Sequence, residues 1–486
     1  MKNTAKTTRL FLAASLCAAA LCTSSLLSCG DAAKTSAPGG AAEQDGTLPA
    51  EETEPAGPEV DLGGYEMTLL TSECSWGWWE MAAEAANGDT LNDATWKRNR
   101  RTEERLNIKI TEEHDYYSLT SDMLYRTYLA GDSVYDAASL HTDGIFKLAN
   151  EGVLYKTKDL VNLNLDNPWW NKRAVSDIAL GTDAYMLIGD LNLMFYENHY
   201  AMMFNHALIS SLGLEDPYQL VSDGKWTFDK MLEMARAAAS DTDGDGVMNV
   251  LYDTYGVCEC TNTAECMLLA FGASLIDKTP EGIPEYIGVD EHYVESYNKV
   301  LSLFSQKDIT ANDASKNIGQ VENEYIGIFS SGRSLFLIEV VGELSKLRGM
   351  NNEFGIVVMP KFDEAASYIT PVYYESIAMC VPITADAERT SLILETMGED
   401  SREILYPAYY DVMLGSKLVR DEKSTESLDV ILSCGTFDIA QVHHWAKIAT
   451  VIESSIRQGK TDIVSTIEKK AAALRADIEA SLNPGK

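Results

Sequence analysis

The sharpest chemistry in the 486 residues lies at Asp241-Thr242-Asp243-Gly244-Asp245-Gly246. Three aspartates at alternate positions, with glycine at the sixth, can wrap a hard cation in carboxylate oxygens, as in a Ca²⁺ loop of the EF-hand type. Val247 would add its carbonyl and Asn249 a direct or water-bridged oxygen. Position twelve is Tyr252 where such a loop places an acid, and Asp253 follows one residue late. The segment is read as a structural Ca²⁺ site made by Asp241, Asp243, Asp245, Val247, Asn249 and Asp253, with a solvated acidic turn as the alternative. A second cluster, Ser75-Trp76-Gly77-Trp78-Trp79-Glu80, sets three indoles within four positions beside a carboxylate. Such rings either offer flat platforms to a ligand or cap a core from the base of a loop. His141-Thr142-Asp143 places an imidazole and a carboxylate two residues apart, and Asp143 either meets a ligand or caps a helix. Cys258-x-Cys260 with Cys266 lacks the two-residue gap and the neighbouring histidine of a zinc site, so buried structural or free thiols are expected.

Enzyme signatures are sparse. Gly131-Asp132-Ser133 imitates an esterase nucleophile block but lies between a helix and a strand at mid-chain. The chain has no Gly-x-Ser-x-Gly elbow, no His-Glu-x-x-His and no full Gly-x-x-x-x-Gly-Lys-Ser/Thr phosphate loop. Paired catalytic carboxylates are a spatial feature that sequence does not display. No catalytic residue and no catalytic cofactor are expected, and a secreted carbohydrate-active hydrolase is the competing reading. Charge narrows the partners further. Lys and Arg number 39 against 74 Asp and Glu, a net −35, which excludes nucleic acid as a partner and disfavours docking of the folded body on anionic lipid.

The elements that position these residues alternate. Strands are expected at 65–70, 107–110 and 134–140, and helices at 93–106 and 119–130. That order implies right-handed crossovers and a largely parallel sheet with helices on both faces. Ligands of such sheets sit at the carboxyl ends of the strands, so the loops after 70 and 140 are the first candidates. Farther along, Thr227 is the expected cap of a helix that opens at Trp226-Thr227-Phe228-Asp229. One last helix is expected from Thr461, with Ile463, Ile467, Ala471, Leu474, Ile478 and Leu482 on a single face.

The amino terminus is of another kind. Lys2, Lys6 and Arg9 precede an apolar run at 10–21, too short to span a bilayer comfortably, and small residues lead to Leu26-Leu27-Ser28-Cys29. This resembles the lipobox of bacterial lipoproteins, which implies a signal peptide of residues 1–28 and diacylglyceryl attachment at Cys29; an ordinary secretory signal with an incidental Cys is the alternative. Two acyl chains hold a protein on a bilayer where one binds marginally. Residues 29–61 are rich in Ala, Gly, Pro, Glu and Thr and read as a flexible acidic linker. Loss of the signal would leave a net charge of about −38.

A series of segments then resembles the extracellular solute-binding proteins of ABC importers, in their carbohydrate-type branch. They are Gly131-Asp132-Ser133-Val134-Tyr135-Asp136-Ala137, Asn167-Pro168-Trp169-Trp170, Met203-Phe204-Asn205, Lys225-Trp226-Thr227, the span from Asp241 to Gly256, Phe354-Gly355-Ile356 through Met359-Pro360-Lys361, and Tyr406-Pro407-Ala408-Tyr409-Tyr410. The resemblance implies an α/β fold of two lobes, a periplasmic-binding-protein-like (Venus flytrap) arrangement joined by hinge strands. Lobe 1 would comprise 62–190 plus 378–405, and lobe 2 would comprise 191–377 plus 406–486. It further implies a monomer anchored outside the cell by lipid alone, which captures a small-molecule solute, a sugar or oligosaccharide favoured, and delivers it to ABC permease subunits. A surface receptor on the same scaffold without transport is the other alternative. The implied ligand-binding residues are Trp76, Trp78, Trp79, His141, Asp143, Glu197, Tyr373, Tyr374 and Trp445, with Glu375 beside the tyrosines; Glu197, Tyr373, Tyr374 and Trp445 could equally serve a core.

Overall fold

The computed structural model describes residues 59–74, 77–260, 262–312, 325–415 and 422–484, all within one compact unit that begins at Gly57. Trp76, Cys29, the signal peptide and nearly all of the linker lie outside the described residues.

The chain opens with β1 (Tyr65–Glu73), α1 (Thr90–Leu106), β2 (Ile108–Tyr116), α2 (Tyr117–Ala130), β3 (Ala137–His141) and α3 (Thr142–Asn150). β1 pairs in parallel with β2 along all nine residues, Tyr65 opposite Ile108 and Glu73 opposite Tyr116, and with β3 on its other side. Met67, Leu69 and Leu70 are fully buried on β1 because helices cover both faces, which is why this strand lacks polar alternation. Asp89 caps α1 by accepting the Leu91 and Asn92 amides, and Asn107 ends it in the left-handed region at φ 48°. β1 and β2 run several residues beyond the expected 65–70 and 107–110. The extra residues of β2 are polar on their exposed positions, so hydropathy alone ended the strand early.

A second sheet holds β4 (Tyr200–Asn205), β5 (Tyr255–Glu259), β6 (Thr310–Asn312), β7 (Ser334–Val340) and β8 (Phe354–Val357) in the order β8-β4-β7-β5-β6. β5 is parallel to β6 and β7, whereas β4 is antiparallel to β7 and β8. Thr227 caps the helix Phe228–Ala238 through the Lys230 amide, as its sequence implies. The chain then returns to the first sheet as β9 (Ile377–Cys380), antiparallel to β3. From there the helix Ala387–Asp400 runs through a π turn at Ser401–Leu405 into Tyr406–Gly415, and Glu422–Ser433 follows. The molecule is thus an α/β protein of two lobes, each built on its own sheet.

The connections between the sheets are tied to one another. Tyr373 donates its amide to the Asn198 carbonyl at 2.8 Å, and the Thr142 amide reaches the Ser376 carbonyl at 2.9 Å. Asp190 accepts from Tyr196 and pairs with Arg402 at 3.2 Å, so one buried carboxylate joins two connections; burial pushes it up to about 6.

The expected single carboxyl-terminal helix is two. Ile463–Glu468 and Ala471–Leu482 are separated where the Lys470 amide turns back to the Ile467 carbonyl at 2.7 Å, a three-residue closure that tightens the chain and ends the first helix. Both pieces still bury their apolar positions: Ile467 and Leu474 are fully buried. Cys258, Cys260, Cys266 and Cys380 are buried, and no disulfide forms among the described residues. Among the same residues no helix is long and apolar enough to cross a membrane.

Candidate functional site

The carboxyl ends of β1 and β3 and the connections between the sheets bring several of the expected residues together. After β1, Gly77 passes so close to the Met194–Glu197 turn that a Cβ there would lie 2.5 Å from the Met194 sulfur and 2.6 Å from a Glu197 oxygen. A side chain there would have to displace both of these groups, and the next amide, of Trp78, donates to Glu197 Oε2 at 2.6 Å. Burial raises the Glu197 carboxyl to about 7, against the pull of that hydrogen bond. The Trp78 indole nitrogen is buried with no hydrogen-bond partner among the described residues. Trp79 rests on the His114 ring, with centroids 4.9 Å apart, and packs with Tyr117 against the small cluster of Cys74, Met194 and Ile377.

At the end of β3, His141 is buried and its Nδ1 lies 2.6 Å from the outward-facing Asp143 carboxylate. Burial works to raise Asp143, but the imidazole's hydrogen bond and charge outweigh it and hold the carboxyl below its ordinary range. Tyr117, the first residue of α2, stands 5.1 Å from the His141 ring. The connection entering β9 lies directly beside His141, because Ile377 pairs with it across the antiparallel β3–β9 ladder. Tyr373 donates to Glu375 at 2.8 Å and accepts from Asn262 at 3.1 Å, and the Tyr374 carbonyl accepts from Thr142 at 2.7 Å. Tyr374 meets His444 edge-on at 5.5 Å. Glu339, at the end of β7, accepts from Tyr325 at 2.6 Å, and burial lifts it too to about 7. Beside Asp143 opens a cavity of about 520 Å³ between α3 and the segment 441–450, bordered by Phe146, Gln441, His443, His444 and Lys447. His444, Ala446 and Lys447 all sit at φ of 50–54° without being glycine, a concentration of backbone strain on this wall.

Trp445 stands apart from this group. Its ring is 2% exposed, stacks on His443 at 4.7 Å and donates its N–H to Ser481 at 2.9 Å, so both its face and its polar edge are used inside the fold. Tyr117, Asn262, Glu339 and His444 were missed in the sequence. The first three follow or end strands, a position that strand-end reasoning could have marked; His444 carries no local signal.

In the acidic loop, Asp241 accepts from the Gly244 and Gly246 amides at 2.7 Å each, and Asp253 accepts from the Thr242 and Asn249 amides at 2.7 Å. Gly244 and Gly246 take φ of 74° and 84°, which lets the turn close. One carboxylate oxygen each from Asp241, Asp243 and Asp253 fall within 4.8 Å of one another, a spacing a hard cation can bridge; Asp245 is not in that group and instead accepts the Val247 amide.

Neither a family model nor a curated protein sequence matches the chain. Solved structures do match in fold. An ABC substrate-binding protein from Listeria monocytogenes in complex with cycloalternan aligns over 86% of this chain and 98% of its own, at 15% identity and a TM-score of 0.55. A sugar transporter from Rhizobium etli, in an open conformation, aligns over 85% and 100% at 14% identity and 0.59. UgpB from M. tuberculosis in complex with glycerophosphocholine aligns over 86% and 98% at 15% identity and 0.55.

Proposed function

We propose that this chain is a substrate-binding protein of an ABC importer that captures a sugar or oligosaccharide between its lobes and hands it to permease subunits. The observation that carries the reading is the convergence of Tyr373, Glu375, Asn262, His141 and Asp143 at strand ends and sheet connections, in a fold shared with structures that hold saccharides. Tyrosine rings stack on C–H faces, and carboxylate and amide groups take up hydroxyls. A solute that touches both lobes favours their closure by its differential affinity, and a permease can read that state. The protein binds and does no catalysis. In this reading it works as a monomer outside the cell, held by lipid at Cys29, with residues 62–190 plus 378–405 as one lobe and 191–377 plus 406–486 as the other. A structural Ca²⁺ at Asp241, Asp243 and Asp253 staples a loop away from the solute.

The test is a thermal-shift screen of the mature domain against oligosaccharides, amino acids, peptides and glycerophosphocholine. A ligand at 100 times its dissociation constant adds about 2.7 kcal/mol. Oligosaccharides are expected to raise Tm; a response confined to the other classes ends the sugar reading.

A further inference from the structure

Among the described residues β2 is the edge of the first sheet, with β1 on one side and no strand on the other. Segment 77–89 folds over this edge and is pinned there. Glu112 accepts from the Ala82 amide at 2.6 Å and the Met81 amide at 3.2 Å, while the fully buried Arg98 donates to the Met81 carbonyl at 2.8 Å. The Ile110 amide on the same strand is taken by Glu103 at 2.9 Å. Between segment, α1 and strand lies a groove of about 720 Å³. Its walls present Trp79, Glu80, Trp96, Arg100, Glu112 and His114. Trp79 is backed by His114, and Arg100 stands 6.0 Å from the centre of the Trp96 ring. Both indoles keep part of their surface in water.

That combination is chemically specific. The two indoles offer apolar faces, Glu80 offers acceptors, and Arg100 offers donors, as a polyhydroxylated ring with flat C–H faces requires, while Glu112 holds the segment in place. The volume falls within the range of about 300–1,000 Å³ that small-molecule sites occupy. An extended peptide added to the β2 edge is disfavoured, because Glu103 already occupies the Ile110 amide and segment 77–89 overlies the strand. Trp79 also belongs to the Cys74, Met194 and Ile377 cluster at the end of β1, so the groove starts beside the candidate cleft.

We propose that this groove is a second saccharide site, which holds a neighbouring stretch of a glycan chain outside the cleft. The assignment rests on the sugar reading above for its biological sense and on the groove for its chemistry. Affinity electrophoresis through gels containing soluble starch, xylan, galactomannan or arabinogalactan tests it, alongside thermal shifts with short oligosaccharides. At least one polysaccharide should retard the protein. Trp96→Ala should abolish that retardation, raising the apparent Kd about tenfold or more, whereas Trp96→Phe keeps most of it. Both variants should keep the thermal shift given by short sugars. Arg100→Ala, at an exposed position, should lose part of the retardation and supplies the reading if Trp96→Ala does not fold. Passage of the wild-type protein unretarded through all four gels, or equal retardation of wild type and variants, overturns the second site. Retardation sensitive to Trp96 with no thermal shift from any short sugar overturns the cleft reading instead and leaves the groove standing.

Discussion

The buried carboxylates Glu197 and Glu339 and the Asp241–Asp253 loop put the same chemical group to opposite uses. Glu197 and Glu339 are buried, each met by a partner the fold delivers: Glu197 takes the amide of Trp78 from 119 residues away. Asp241 is exposed and satisfied by amides three and five residues on. Burial raises the first pair to about 7, whereas Asp241 and Asp243 stay exposed and only Asp253 of the loop's cluster is buried. The difference teaches that the connection before β4 is held by a long-range tie whose loss the fold must feel, whereas the loop is closed by hydrogen bonds among its own residues.

The largest effect should come from the deepest long-range tie. Trp445→Ala leaves a cavity and an unpartnered Ser481, and is expected to cost about 3–5 kcal/mol in a denaturant melt. Trp445→Phe should keep solute affinity within about twofold, and a larger loss would return this ring to the binding site. Next, Glu197 has a folded pKa of about 7 against an ordinary 4.5, so the folded state holds its proton longer than the unfolded chain. Its stabilising contribution is complete below pH 4.5 and is lost as pH rises to about 7, a swing of about 3 kcal/mol at most. Replacing it by Gln should flatten that part of a stability-versus-pH curve; an unchanged slope assigns the decline to other groups. Gly77→Ala, which drives a methyl against Met194 and Glu197, should destabilise by about 1–3 kcal/mol through overpacking.

On the local side, saturating Ca²⁺ should raise Tm by the equivalent of about 2–3 kcal/mol, Asp241→Asn should remove that response, and solute affinity should not change. An unchanged Tm on adding chelator rejects the ion. The smallest stability effect is expected from Asp143→Asn, below about 1 kcal/mol because the side chain is 60% exposed, even though solute binding weakens measurably by titration.

How much of this was legible beforehand follows the same division. The alternation through β1, α1, β2, α2 and β3 and the cap at Thr227 could be read because each depends on neighbours a few residues apart. The acidic loop was legible for the same reason, and the structure adds that Asp253, one place late, stands with Asp241 and Asp243 while Asp245 turns away. Trp445 could be read as a platform or as core because an aromatic carries no mark of which side it faces; its indole is claimed by Ser481, 36 residues on. The break before Ala471 was hidden because apolar spacing continues across it. Asn262 and Glu339 gave no hint of Tyr373 and Tyr325, since only the sheet order and the connections between sheets bring those pairs together.

Small-angle X-ray scattering of the mature chain, with and without an oligosaccharide identified by thermal shift, tests the central claim most directly. Closure of two lobes on a shared solute predicts one-to-one binding and a smaller radius of gyration that reverses when the sugar is dialysed away. A sugar that binds without changing the radius of gyration contradicts capture by closure.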